Sequence, residues 1–123
     1  SAFDDTLRTN ARGVFAAVRE ALPHMDDSGR VVVPTGSVAR DPKAGYGAYA
    51  VSKAAAEGIA RQFSVDAVPA VGCVDPGAVD SALHGQGGRD PEDVAGLFTW
   101  AASVPGELDG AVLGLKDWKQ ATA

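Results

Sequence analysis

The sequence predicts an α/β fold in which a parallel sheet of about three strands is flanked by helices, in the order helix, strand, helix, strand, helix, strand. Three observations support this prediction: helical periodicity at the start of the chain, short apolar runs of strand length, and a strong helix start at Asp90. Strands that alternate with helices form parallel sheets with right-handed crossovers. A chain of 123 residues fits one such domain.

The first half of the chain predicts two helices on either side of a strand. Apolar residues at helical spacing indicate a first helix that ends near Pro23. The apolar run at residues 31–33 is typical of a parallel strand covered on both faces. A polar, glycine-containing loop at residues 36–47 precedes a second helix over about 48–64. The apolar positions of the first helix are Phe3, Leu7, Val14, Val18 and Leu22.

The second half predicts two more strands around a third helix. Residues 70–74 indicate the second strand, and residues 111–115 indicate the third. Asp90 can cap a helix that runs to about Ser103, because Pro91 suits its first turn and acidic residues follow. The remaining tail, to residue 123, is expected to be loosely held.

Composition and charge exclude several classes of function. The net charge of −5 argues against nucleic acid and against an anionic membrane surface as partners. No apolar stretch is long enough to span a bilayer, and the cytoplasm is the expected compartment. Cys73 lies in an apolar run and is expected to be a buried small hydrophobe. His24 and His84 stand apart, so no metal site is expected.

Tyr49 and Lys53 are the strongest candidates for chemistry. Four residues apart, they share one face of the predicted second helix. An ammonium beside a phenol favours the phenolate, which prepares the tyrosine for proton transfer at an alcohol or carbonyl oxygen. A nearby Ser37 hydroxyl could hold that oxygen. In the alternative interpretation, Lys53 pairs with Glu57 on a solvated helix face and Tyr49 lies at the edge of the core.

The predicted topology brings these residues to one rim of the sheet. Ligands of open parallel sheets bind beyond the carboxyl ends of the strands. Ser37 follows the first predicted strand, and Asp75, Pro76 and Gly77 follow the second. The candidate site is therefore expected where these two strands end.

Five short motifs occur in a fixed order between about residues 3 and 115. Together they resemble the short-chain dehydrogenase/reductase family. The motifs are Asn-x-x-Gly within residues 9–15, Leu-Pro-x-Met at 22–25, the strand and serine at 33–39, Tyr-x-x-x-Lys at 49–53, and the Pro-Gly-x-Val-x-Ser loop at 76–81.

The resemblance implies a partial Rossmann-like fold and hydride transfer between NAD(P)H and a small carbonyl or alcohol substrate. It implies that Tyr49 is the general acid/base and that Lys53 activates it and binds the nicotinamide ribose. Ser37 would orient the substrate, and Asn10 would hold a water that links the lysine to solvent. The residues that would bind the nicotinamide end of NAD or NADP are Tyr49, Lys53, Pro76, Gly77, Val79 and Ser81.

Asn10 also stands out on the residues alone. It falls on the apolar stripe of the first predicted helix, and a buried amide needs hydrogen-bond partners. A neighbouring loop could supply those partners without any catalytic role for the residue.

Three features depart from the family pattern. The Gly-rich turn that receives the cofactor pyrophosphate is missing, and the glycines at 85–88 do not replace it because no strand directly precedes them. Binding of the whole cofactor is therefore expected to be severely weakened, and the choice between NAD and NADP cannot be read. Pro34 would remove a ladder N–H, and the loop from Ser37 to Tyr49 is about one residue short, so both could shift Ser37.

Two functions remain open at this stage. The chain is either the catalytic portion of an oxidoreductase, whose other half comes from a longer chain or a partner, or a non-catalytic relative kept for its fold and its interaction surface. A phosphoreceiver-like domain is disfavoured, because the paired acids after a first strand are missing.

The sequence also indicates two surfaces for association. The first two helices are expected to form a homo-oligomer interface, because a small-residue stripe of Ala50, Ala54 and Gly58 allows close packing. The first strand becomes an open sheet edge, which Pro34 would blunt against unwanted pairing. The substrate pocket is expected to include Arg40, Lys43, Tyr46 and the loop at 82–89, although its substrate cannot be read.

Overall fold

The computed structural model describes residues 1–79, 87–103 and 106–123. Within these residues three strands and five α-helices follow the predicted alternation, except that two helices stand in place of the first and one additional helix follows the last strand. They are α1 (Ala2–Leu7), α2 (Gly13–Ala21), β1 (Arg30–Pro34), α3 (Gly47–Asp66), β2 (Ala70–Asp75), α4 (Pro91–Ser103), β3 (Val112–Gly114) and α5 (Leu115–Thr122). None of these helices is long and apolar enough to cross a membrane.

The three strands form one parallel sheet in the order β1-β2-β3, which confirms the predicted fold class. Val33 lies beside Cys73, and Val74 lies beside Leu113. Strand β2 is in the middle and all its residues are buried or half-buried. The carboxyl ends of the strands consequently meet at one edge, where Ser37 follows β1 and Pro76 follows β2.

Two apolar layers cover the sheet, because alternate residues of each strand face opposite sides. On one side, Val33, Val71 and Cys73 pack against α2 and α3. On the other side, Val74 and Leu113 pack against α4. The first layer also contains Val18, Ala56 and Ala60, and the second contains Leu97, Ala101 and Leu108.

The apolar periodicity predicted one continuous first helix, but the structure divides this helix in two. A π-helical turn, Arg8–Arg12, separates α1 from α2, and Asn10 is at its centre. The backbone N–H of Gly13 donates to the carbonyl of Arg8, five residues earlier. A π turn has no distinctive local residue pattern, so the sequence did not reveal it.

The expectation of a loosely held tail was wrong. Residues 115–122 form α5, and Trp118 packs against the second apolar layer. Gly96 of α4 makes room for this indole, because a Cβ there would lie 2.6 Å from Cζ2 of Trp118. Asp117 begins the helix by accepting a hydrogen bond from the Gly114 N–H at 2.8 Å. Leu115 therefore belongs to the helix and not to the third strand.

Pro34 does not remove a ladder hydrogen bond, contrary to the prediction. Thr35 N donates to Val74 O at 2.8 Å, and Ala70 N donates to Gly29 O at 3.1 Å. The backbone N–H and C=O groups of the odd-numbered residues of β1 thus point toward β2, whereas the backbone of Pro34 points away from β2. Since β1 is an outer strand of the described sheet, the backbone nitrogen of Pro34 lies on the open side, where the lack of an N–H is tolerated.

Replacement of Gly72 by alanine should destabilise the protein. The added Cβ would lie 1.9 Å from the backbone oxygen of Leu108, which the buried centre of β2 cannot avoid without a shift. We expect a loss of about 1–3 kcal/mol or more in the free energy of unfolding, measured by urea denaturation. Gly36→Ala is the matched control, because its Cβ meets nothing within 4 Å and should change stability by less than about 1 kcal/mol. Equal stability of the two variants would contradict the packing of β2 against Leu108.

The Cys73 thiol should be inert in the folded protein. Burial raises its pKa to about 11, and the negative charge of Glu57 adds to this rise. Since the thiolate is the reactive form, a thiol reagent at pH 8 should modify the native protein slowly and the urea-unfolded protein rapidly. Modification at similar rates in both states would show that the strand around Cys73 opens easily.

Candidate active site

The structure places the predicted catalytic residues on two elements that pack together. Ser37 begins a 3-10 turn, Ser37–Ala39, directly beyond β1, and this turn packs against α3. Tyr49 and Lys53 lie one turn apart near the start of α3. Ser37 and Tyr49 are exposed and Lys53 is half-buried, so all three can be reached from solvent.

Tyr49 has a cation on one side and a second aromatic ring nearby. The Nζ of Lys53 is 5.7 Å from the centroid of the Tyr49 ring. The ring of Tyr46 is 6.3 Å away, centroid to centroid, and tilted by 44°. Tyr49 remains 39% exposed, so the phenol is open to a ligand despite these neighbours.

Asn10 is bound to α3 rather than to a neighbouring loop. Its Nδ2 donates to the Oγ of Ser52 at 3.1 Å, and that hydroxyl donates to the backbone oxygen of Tyr49 at 2.7 Å. Ser52 belongs to α3 and is fully buried where this helix packs against the π turn. The amide of Asn10 is thereby connected to the turn of α3 that carries Tyr49 and Lys53. The sequence interpretation passed over Ser52, although a serine inside an otherwise apolar helix face was a usable signal.

The carboxylate of Glu57 does not lie on a solvated helix face. Glu57 is 2% exposed, and its Oε2 accepts hydrogen bonds from Thr35 Oγ1 at 2.5 Å and from Nη1 of Arg40. The alternative interpretation of Lys53 as a surface partner of Glu57 is therefore wrong. Sequence reasoning had overlooked Thr35, since a threonine at the end of a strand usually signals nothing beyond strand propensity.

Arg40 bridges two carboxylates. Its Nη1 binds Glu57, and its Nη2 donates to Oδ2 of Asp75 at 2.6 Å. Burial alone would lower the pKa of the Arg40 guanidinium, but the charges and hydrogen bonds of Glu57 and Asp75 outweigh it, and the pKa is raised. Arg40 also lines an open cleft of about 470 Å³ beside Asp75, Gly77 and Lys116. It faces this cleft with its charge already paired.

The turn after β2 is shaped by Gly77. Gly77 has φ +74°, which favours glycine, and its N–H donates to Oδ1 of Asp75 at 2.9 Å. A Cβ at this position would lie 3.2 Å from Nη1 of Arg89. Val79 is half-buried and forms an isolated bridge with Arg89. Ser81, His84 and the part of the predicted pocket loop at 82–86 lie outside the described residues.

The donors present suit the nicotinamide end of a dinucleotide. A lysine ammonium, a phenol and a serine hydroxyl can each form hydrogen bonds with ribose hydroxyls or with an amide. Of the residues 85–88, which were expected not to form a pyrophosphate turn, Gly87 and Gly88 are described and lie shortly before α4, whereas 85 and 86 lie outside the described residues. The described part of the chain contains no group of three His, Cys, Asp or Glu side chains that could hold a metal ion.

Comparison with known proteins places these features in a family. The family model for short chain dehydrogenase matches residues 1–92. The cyclic-di-GMP-binding biofilm dispersal mediator protein of Escherichia coli (strain K12) is 34% identical over 119 residues, covering 80% of this chain and 50% of that protein. A chloroplastic NADPH-dependent aldehyde reductase-like protein of Arabidopsis thaliana is 34% identical over 96 residues, covering 73% of this chain and 35% of that protein.

Solved structures agree with the sequence matches. A short chain dehydrogenase from Burkholderia cenocepacia J2315 in complex with NADP superposes with a TM-score of 0.83 at 28% identity, over 94% of this chain and 55% of that one. The chain thus spans about half the length, or less, of the relatives it matches. The family model covers most of the chain, and on this ground the chain belongs to the short-chain dehydrogenase/reductase family.

Proposed function

We propose that this chain is the catalytic portion of an NAD(P)-dependent oxidoreductase that interconverts a small carbonyl compound and an alcohol. The observation that carries the proposal is the position of Tyr49 and Lys53, one turn apart and accessible, on the helix against which the Ser37 turn packs. A relative named as an NADPH-dependent reductase and a neighbour solved with NADP support the choice of cofactor class.

Each residue has a defined part in this chemistry. In the reduction direction, the Tyr49 phenol donates its proton to the carbonyl oxygen while the Ser37 hydroxyl donates a hydrogen bond to the same oxygen. Lys53 stabilises the resulting phenolate with its positive charge and holds the ribose. The nicotinamide, when bound, supplies the hydride to the carbonyl carbon. In the oxidation direction, the phenolate takes the proton of the alcohol. Asn10 and Ser52 hold the first turns of α3 in place.

We propose that the binding site for the adenosine and pyrophosphate of the cofactor comes from a second half-domain, which lies in a longer natural chain or in a partner protein. The open side of β1 suits such a half. Residues facing that side include Val32 and Pro34, whose backbone oxygens can accept ladder hydrogen bonds. An apolar groove of about 280 Å³ runs beside the strand. It is lined by Val14, Ala17, Val18, Ala21, Val31, Val32, Val33 and Pro34.

A non-catalytic function is the second candidate. It is favoured by the lack of a Gly-rich pyrophosphate turn in the described part of the chain. Tyr49, Lys53 and Ser37 would then be inherited without use, and the fold and its helical surface would be the functional parts.

The substitution Tyr49→Phe distinguishes the catalytic function from the non-catalytic one. We expect the wild-type chain to bind NADH or NADPH weakly, as seen by nicotinamide fluorescence, and to reduce members of a carbonyl panel. Tyr49→Phe removes the proton donor and should lower turnover by about 10²–10⁴-fold. Val65→Ala is the control, since Val65 is 76% exposed at the far end of α3, and this variant should retain the activity. Absence of binding at millimolar cofactor would favour the non-catalytic candidate.

We also propose that α2 and α3 form a homodimer interface. A groove of about 410 Å³ lies between the two helices. Phe15 of α2 is 44% exposed, and its ring lies 5.2 Å from that of Phe63, centroid to centroid, with a tilt of 43°. The small residues Ala55 and Gly58 also line this groove. Small residues of this kind let a second helix approach closely, and the exposed ring of Phe15 would add apolar contact area to that interface.

Substitution in this groove should produce monomers. Gly58→Gln places a long side chain where close helix packing is needed, and light scattering with size exclusion should show a shift from dimer to monomer at micromolar concentration. Val68→Gln is the control, because Val68 is 72% exposed and lies after the end of α3. A wild-type chain that is already monomeric under these conditions would rule out the interface.

A further inference from the structure

A buried carboxylate lies beneath the proposed site and takes no part in the proposed chemistry. Glu57 is on α3, one turn beyond Lys53, and its side chain is 3% exposed. Burying a carboxylate is unfavourable unless it is paired and hydrogen-bonded. Glu57 meets both conditions through Thr35 and Arg40, which lie on the segment that follows β1. The carboxylate therefore joins α3 to that segment.

The two residues that bind Glu57 stand on either side of Ser37. Thr35 is two residues before the serine and Arg40 is three residues after it. The backbone forms a hydrogen-bonded turn here, since the N–H groups of Arg40 and Asp41 donate to Ser37 O at 3.0 and 2.8 Å. One carboxylate oxygen thus holds the Ser37 segment at both ends.

Arg40 extends the connection to the turn after β2. Its second nitrogen binds Oδ2 of Asp75 at 2.6 Å, and Oδ1 of the same carboxylate accepts the N–H of Gly77 at 2.9 Å. Arginine is suited to this bridge because its planar fork can bind two carboxylates at once. Contacts therefore run without a break from α3, through Glu57, Arg40 and Asp75, to Gly77.

We propose that Glu57 and Arg40 are positioning residues that set the Ser37 turn and the Pro76–Gly77 turn relative to Tyr49 and Lys53. This inference rests on the proposed function for its catalytic meaning, whereas the coupling between the segments stands on the contacts alone. A charged bridge between three separate segments has a specific consequence: disturbing one end moves the far end.

Hydrogen exchange of single amides tests the coupling in the 123-residue chain. Glu57→Gln keeps the shape of the side chain and removes its charge, so the amides of both Asp41 and Gly77 should exchange about tenfold faster. Arg40→Lys cannot bridge two carboxylates, and in that background Glu57→Gln should no longer affect Gly77. Glu20→Gln, on the exposed face of α2, should leave both amides unchanged.

Thr35 offers a conservative rescue. Thr35→Ser keeps the hydroxyl that donates to Glu57, and the exchange of the Asp41 amide should remain as in the wild type. Thr35→Val keeps the volume and loses the donor, and the same amide should exchange faster. This pair keeps the test valid if Glu57→Gln fails to fold.

Binding and turnover test the catalytic meaning. The probe is reduced nicotinamide mononucleotide, which contains only the cofactor end that the residues present could hold. Glu57→Gln should weaken its binding about tenfold and lower turnover about 10²-fold, with a smaller change in the KM for the carbonyl compound. Thr35→Ser should retain both properties.

The outcomes separate the inference from the proposed function. Unchanged exchange at Gly77 in a folded Glu57→Gln variant would overturn the coupling, whatever the cofactor does. Unchanged probe binding and turnover in that variant, beside an active wild type, would overturn the positioning role and leave the proposed function intact. A wild type that binds no nicotinamide probe would overturn both the proposed function and the catalytic meaning, while the exchange result would still decide the coupling.

Discussion

The ion pair between buried Glu57 and Arg40 is the interaction on which the arrangement of the site depends. A carboxylate in an interior must keep its cation, because loss of one partner leaves an unpaired buried charge. Here the cation comes from the turn after β1, and its other nitrogen reaches Asp75 at the end of β2. The three segments that contain the candidate residues are consequently held by charges, and not only by apolar packing.

The two faces of the sheet differ in what they contribute. The face toward α2 and α3 contains the tyrosine–lysine helix, the buried serine beneath it and the π turn with Asn10. The face toward α4 and α5 is apolar and closes with Trp118 over Gly96. Buried polar side chains thus lie on the α3 side of the sheet, whereas apolar packing predominates on the α4 side.

The open side of β1 is where the described sheet could be extended, which is relevant because the relatives are longer than this chain. The relatives are about twice as long, and the described sheet has its outer strand where another strand could pair. Within the sheet that the structure describes, Pro34 has no ladder partner on that side, so we expect the edge to be both available and partly blunted. Parallel pairing there would extend the sheet without changing the register of β1 and β2.

The sequence by itself determined the order of the elements, the start of α4, and the motifs that define the family, because these are properties of periodicity, capping and short spacing. It also indicated that Ser37, Tyr49 and Lys53 belong near one rim. Only the tertiary structure decided the partners of Glu57, Arg40 and Asn10, the π turn and the packing of the tail. Asn10 and Ser52 are 42 positions apart, and Arg40 and Asp75 are 35 apart. No local pattern records such contacts, since they exist only when the strands bring distant segments together.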